Sequence, residues 1–284
     1  MTLDKFEEET NKYDLELEKS MLSPKNDYDK QELSQIRKMC EEISEITTPT
    51  PLSYDEIVKE ELLGPYFIRS VGVLDNFQIS AFFIDAVRKM KLYRDRNFGR
   101  GETEINYRCS NINNNLYVMS LPTGELTMSE QMGYGHEMGH IPHLDKPRDD
   151  FLEYSEALPI FMEYLVALRR TKDPKLAFDY FLCERLPIEK TNAISILKVY
   201  DEIINSKNIE QKYYIQLFQK YYKYLESLEF AIQLIDAMNQ DKIEVVRELE
   251  KVINGFSMES TADNLDINSY GCKRLLQEFK RMAR

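Results

Sequence analysis

Apolar residues recur at helical spacing along most of this chain, interrupted by few glycines and prolines. The pattern predicts two charged amphipathic helices over 1–21 and 28–46, broken at Ser23-Pro24. Thr47-Thr48-Pro49-Thr50-Pro51 is a short stiff connection, because each proline fixes φ and biases its predecessor to extended backbone. Further helices are expected over 53–63 and 75–94, the second with its apolar side along Phe77, Ile79, Phe82, Phe83 and Val87. The period then changes. Residues 104–109 and 115–121 alternate and are rich in strand formers, with an Asn-rich turn at 111–114, so a small hairpin or sheet edge is expected there. A helix should begin near Thr127 or Ser129. Another, over 149–170, has Asp149 and Asp150 near its start and Arg169-Arg170 at its end, in keeping with the helix dipole. Helices at 173–185, 188–205, 209–239, 241–254 and 270–283 complete a mostly α chain, divided into a charged helical segment over 1–50 and a single domain over 51–284.

Charge narrows the function classes. The net charge of −12 argues against nucleic acid, which calls for a basic patch, and against docking on anionic lipid. No stretch approaches the ~18 apolar residues of a membrane span, and the acidic N-terminus does not resemble a secretory signal. The four cysteines are scattered without a C-x-x-C pair. They are expected to be reduced thiols in a cytoplasmic protein.

All three histidines lie within eight residues: His136, His140 and His143. The first two frame Glu137 in the pattern H-E-x-x-H. On a helix, i and i+4 share a face, so two imidazoles can converge on one metal ion while the Glu stands beside it as a base for a bound water. With only three histidines present, chance would produce the pattern about 0.003 times per chain. The expected cofactor is one Zn2+ per chain, and the expected chemistry is that of a zinc peptidase. His143, only three positions after His140, cannot easily reach the same ion and is read as a supporting residue. A third ligand must come from elsewhere, and the 149–170 helix offers Glu153, Glu156 and Glu163, the last two being two turns apart.

The run from Gly135 to His143, followed by Glu156 through Glu163, resembles the thimet oligopeptidase and oligoendopeptidase F family, whose motif is H-E-x-G-H-x-x-H with two glutamates on a later helix. The resemblance covers roughly residues 65–284. It implies a zincin-like helical core, Glu156 as the third zinc ligand, and Glu163 as a residue that orients the site. It also implies that the 115–121 segment is an edge strand that pairs with bound peptide. A weaker likeness extends to Tyr221, Tyr222 and Tyr224, where the family's tyrosines bind the tetrahedral intermediate; Tyr224 and Tyr221 are the catalytic candidates. The same spacing also suits ordinary aromatic packing. The chain departs from the family in lacking a histidine just before these tyrosines and in being about half the usual length, so the roof of the substrate channel is expected to be reduced. The expected function is hydrolysis of short peptides with Glu137 as general base. The alternative is a zinc-binding pseudo-peptidase that serves as an interaction module or subunit, and a homo-oligomer is compatible with either.

Overall fold

The structure is a computed structural model, and it describes residues 30–54, 57–94, 108–112, 116–121, 124–144, 155–205 and 209–283. The expected helix over 1–21 lies outside them. The chain is mostly helical. The first described helix, α1 (Lys30–Glu45), buries Ile36, Met39, Cys40 and Ile43, the i, i+3, i+4, i+7 stripe of a helix packed along one face. A short strand β1 (Val58–Lys59) and a 3-10 turn (Glu60–Leu62) lead to α2 (Leu63–Val71). Then come α3 (Phe77–Lys89), β2 (Met90–Arg94), β3 (Arg108–Ile112), β4 (Leu116–Leu121) and β5 (Glu125–Leu126). The second half holds α4 (Met128–Gly139), α5 (Ile141–Leu144), α6 (Ala157–Thr171), α7 (Pro174–Asn205), α8 (Ile209–Gln240), α9 (Lys242–Ile253), α10 (Met258–Asn264) and α11 (Lys273–Met282).

Two small sheets accompany the helices. Antiparallel β1 and β5 pair Val58 with Leu126 and Lys59 with Glu125. In the other sheet β4 is central, parallel to β2 and antiparallel to β3. The expected β region before the histidine helix is therefore present, with corrections. Asn111 and Ile112, assigned to a turn by their composition, are the end of strand β3, paired with Tyr117 and Leu116. The helix expected over 75–94 ends at Lys89, and Met90–Arg94 adds a strand whose parallel neighbour is 27 positions on in sequence, beyond the reach of local periodicity. The helix expected over 53–63 is replaced by β1 and the 3-10 turn, because Val58 and Lys59 find partners in the segment that leads into α4. The sequence pattern gave no sign of α10, a seven-residue helix whose N-cap Ser257 accepts from the amide of Ser260.

Two helices depart from expectation in ways that matter for the site. The segment expected to be one amphipathic helix over 149–170 is helical from Ala157, residues 145–154 lying outside those described. It is buried all round: Ala157 through Ala167 are all buried, Glu163 among them. A helix without a polar face belongs at the centre of a core, and α6 packs against α2, α4, α7 and α8. Residues 173–185 and 188–205 form one continuous helix, α7, with Pro187 inside it. Proline removes one helical donor. Buried neighbours on both sides, Cys183, Arg185 and Leu186 before it, Glu189 and Ala193 after it, hold the turns in register against the core.

The crossing of α4 and α6 is closer than side chains would allow. A Cβ on Gly135 would stand 2.8 Å from Val166 Cγ2 and 3.3 Å from the Met162 carbonyl oxygen. A Cβ on Gly139 would run into the Cα of Pro159 and stand 2.8 Å from its nitrogen. Gly135 and Gly139 are i and i+4, so they share the face on which α4 meets α6. Because the obstacle at Gly139 is backbone, it cannot turn aside. Gly139→Ala is expected to lower stability by roughly 1–3 kcal/mol, as overpacking does. Thermal unfolding measures it, and an unchanged midpoint would mean that the two helices can separate without loss.

Candidate metal centre

Local sequence sets both ligand-bearing elements. Thr127 and Glu130 start α4 with a reciprocal capping box: the Thr127 hydroxyl accepts from the Glu130 amide at 3.3 Å, and the Glu130 carboxylate accepts from the Thr127 amide at 2.6 Å. The helix ends at Gly139, so His136 lies in its last turn and His140 caps it. A helix C-terminus carries partial negative charge and favours a cation nearby. Glu156 occupies the N-cap position of α6, where a carboxylate would ordinarily accept from the first turn of amides. It makes no such bond. Its side chain turns to the histidines instead.

Glu156 Oε2 stands 3.2 Å from His136 Nε2 and 3.6 Å from His140 Nε2. One ligand atom from each of the three residues falls within 4.8 Å of the others. Ligands about 2.0–2.1 Å from a tetrahedral ion are ~3.3–3.4 Å apart, and the two observed separations straddle that value. Glu156 Oε2 is also buried, and its polar neighbours are the two imidazole nitrogens. The donor set and the spacing both fit a divalent cation.

Electrostatics agree with this. Burial would raise the Glu156 pKa, but His140, His136 and Lys223 hold its carboxyl well below the usual carboxylate range. Burial pushes His140 down to about 4, which leaves a neutral imidazole with a lone pair to offer. Burial would lower His136 too, but hydrogen bonds to Glu156 and Glu163 raise it to about 10. Without a metal, His136 therefore carries a proton at neutral pH. A cation displaces that proton from Nε2, so its binding strengthens as pH rises.

Behind His136 stands a chain of buried charges. His136 Nδ1 lies 2.7 Å from Glu163 Oε1. Arg185 grips the same carboxylate with both arms, Nε on Oε2 at 2.8 Å and Nη2 on Oε1 at 2.5 Å. Arg185 Nη2 is also 3.3 Å from His136 Nδ1. Arginine can only donate, so Glu163 Oε1 is the acceptor that the two nitrogens share, and this assigns the His136 Nδ1 as a donor. Fixing the outer ring nitrogen in this way orients a ligating imidazole and raises its basicity. Glu189, fully buried one turn after Arg185, approaches it at 3.8 Å and accepts from Asn192 at 2.9 Å; burial raises its pKa. Arg185 and Glu189 were not found by sequence reasoning. The available signal was a pair of charges, i and i+4, inside an apolar stretch of helix, since buried charges occur where they are paired. Arg185→Met is expected to weaken metal binding roughly 10- to 100-fold, read by competition with a chromophoric chelator. Arg185→Lys should recover only part, because one ammonium cannot span two oxygens. Equal affinity in all three proteins would remove the chain's role.

The remaining sequence candidates are placed as follows. Glu137, between the two histidines, is buried. Tyr224 is half-buried on α8, and its pKa is raised by Glu156 first, then by burial, with Glu189 and Glu137 adding to it. Its hydroxyl thus keeps its proton among these carboxylates. Tyr221 packs half-buried against the core, and Tyr222 is buried beside Phe218. His143 is buried in α5 and is not one of the three converging residues. Glu153 lies outside the described residues. Lys223, also missed in the sequence, places its ammonium 3.9 Å from Glu156 Oε1 and 5.1 Å over the Tyr224 ring. Among the described residues no helix is long and apolar enough to cross a membrane, and Cys40, Cys183 and Cys272 are buried free thiols. Comparison of the chain with family models, curated proteins and solved structures gave no match.

Proposed function

We propose that this protein is a zinc-dependent peptidase with a zincin-like core, acting on short peptides in the cytoplasm. The observation that carries the proposal is the convergence of His136 Nε2, His140 Nε2 and Glu156 Oε2 at 3.2–3.6 Å separations about the oxygen, with Glu137 buried between the two histidines in sequence. Two imidazoles and one carboxylate form a donor set typical of catalytic zinc, which leaves a fourth position for water or substrate. When bound, the ion supplies Lewis acidity and lowers the pKa of a water toward ~7.

The chain's own groups would do the rest. Glu137 takes a proton from the attacking water as its oxygen bonds to the peptide carbonyl carbon. The Tyr224 hydroxyl, kept protonated by its carboxylate neighbours, donates to the oxygen on which charge develops. Glu137 returns the proton to the departing amine as the C–N bond breaks. One water is consumed, and no other reactant is needed. Glu163 and Arg185 hold the His136 ring throughout.

A mixture of internally quenched fluorescent peptides tests the proposal. Hydrolysis should stop when a chelator removes the metal and return when Zn2+ is restored. A protein that holds zinc at His136, His140 and Glu156 yet cleaves none of the peptides would instead be a binding module.

A further inference from the structure

Glu189 is fully buried beside the centre, and acids are seldom buried to that degree unless paired. Its Oε2 accepts from Asn192 Nδ2 at 2.9 Å. Its Oε1 stands 3.8 Å from Arg185 Nη1. That is the arm of the guanidinium turned away from Glu163, which takes Nε and Nη2. Arg185 is therefore held between two carboxylates, Glu163 from α6 and Glu189 from one turn further along α7. Glu163 also accepts from His136 Nδ1. We propose that Glu189 is a positioning residue of the metal centre: its charge draws on the far arm of Arg185, so that Arg185 orients Glu163 without cancelling the charge with which Glu163 holds and polarises His136. The proposal rests on the metal-binding part of the reading above, and not on peptide cleavage.

Charge balance gives Glu189 its effect. One guanidinium with one carboxylate is a neutral pair, and it offers the His136 N–H a weakened acceptor. One guanidinium with two carboxylates keeps a net negative charge beside the ring. Hydrogen bonds to charged acceptors are about twice as strong as neutral ones, and a stronger acceptor on the outer nitrogen makes the imidazole a better ligand. At 3.8 Å the contact between Arg185 and Glu189 is longer than the ~2.7–3.2 Å of an N–H···O bond. It acts through charge, which water screens little because Arg185 is 6% exposed and Glu189 not at all. Burial raises the pKa of Glu189, but Arg185 and then Asn192 act against that rise and favour the carboxylate. The pair also straddles Pro187, where α7 lacks one backbone hydrogen bond. A staple across that turn is the competing role, and it leads to different results.

The test uses the full chain as wild type, Glu189→Gln and Glu189→Asp. Glutamine keeps the size and an acceptor for Asn192 but not the charge, whereas aspartate keeps the charge. Co2+ affinity is read by competition with a chromophoric chelator. Glu189→Gln is expected to bind Co2+ about tenfold more weakly, the low end for a group outside the ligands, and Glu189→Asp to recover part of the loss. In an Arg185→Met background, Glu189→Gln should leave the affinity nearly unchanged, because the charge acts through the guanidinium. A second readout is the ring N–H proton of His136 by NMR in the Zn2+-loaded proteins, where only three histidines need assignment. It should move upfield in Glu189→Gln as the bond to Glu163 weakens, while His140 stays in place. Wild-type affinity with an unmoved His136 proton would overturn the proposal. A lower melting temperature of the metal-free variant with unchanged Co2+ affinity would also overturn it, making the pair a staple across Pro187. So would an equal loss with and without Arg185. If the wild type binds no Co2+, the metal reading fails and the proposal with it. If it binds Co2+ and the Glu189→Gln difference appears, yet no peptide is cleaved, the peptidase reading fails while Glu189 keeps its role.

Discussion

Glu137→Gln is expected to bind zinc as tightly as wild type and to hydrolyse peptides about 100- to 10,000-fold more slowly, the range supplied by a positioned general base. Glutamine keeps the size of the side chain and one acceptor oxygen, so the buried position between His136 and His140 stays filled. What it cannot do is take a proton. Zinc content by metal analysis and kcat by peptide assay, measured on the same preparation, separate the two roles. Retained activity would remove Glu137 from the chemistry, and lost zinc would make it part of the ligand framework.

Glu156→Ala is expected to lose more metal affinity than the roughly 10- to 100-fold attached to an outer partner of a ligand. It removes the only carboxylate among the three converging groups. It also leaves His136 and Lys223 without the charge that both now face. Glu156→Gln provides a control of similar volume, with a neutral oxygen that ligates poorly. Chelator competition and thermal unfolding should be read together. A drop in affinity with an unchanged melting point for the metal-free protein assigns the loss to ligation. Unaltered affinity in both variants would move the third ligand elsewhere.

The parts of the centre legible in the sequence were those set by local geometry. His136, Glu137 and His140 lie on one helix turn, where spacing alone dictates proximity. Glu156 and Glu163 were visible only as two of three glutamates in a segment read as a later helix; choosing between them needed a family resemblance, and the structure places both around His136. Arg185 and Lys223 lie 49 and 87 positions from His136 in sequence, and no local period relates such distances. The fold divides along the same line. Amphipathic α1 and α9 were readable because each has one buried face. The break expected at Pro187 does not occur, whereas the helix expected to run on to residue 94 stops at Lys89. Core packing carried α7 through its proline, while a strand partner at Tyr117–Leu121 drew Met90–Arg94 out of the helix.

The glycine-lined crossing of α4 and α6 bears on which ions the protein would accept. At Gly139 main chain meets main chain, so the approach of the two helix ends that carry the imidazoles and Glu156 is set by backbone, and side-chain torsions place the ligand atoms from there. Calcium needs six to eight oxygens at 2.3–2.6 Å, and magnesium holds tightly to its octahedral waters. Neither is matched by two nitrogens and one oxygen at this spacing. First-row ions that suit imidazole, zinc among them, fit this donor set better. A larger residue at Gly139 would part the helices that carry the three groups, so a position with no side chain bears on ion binding as well as on stability.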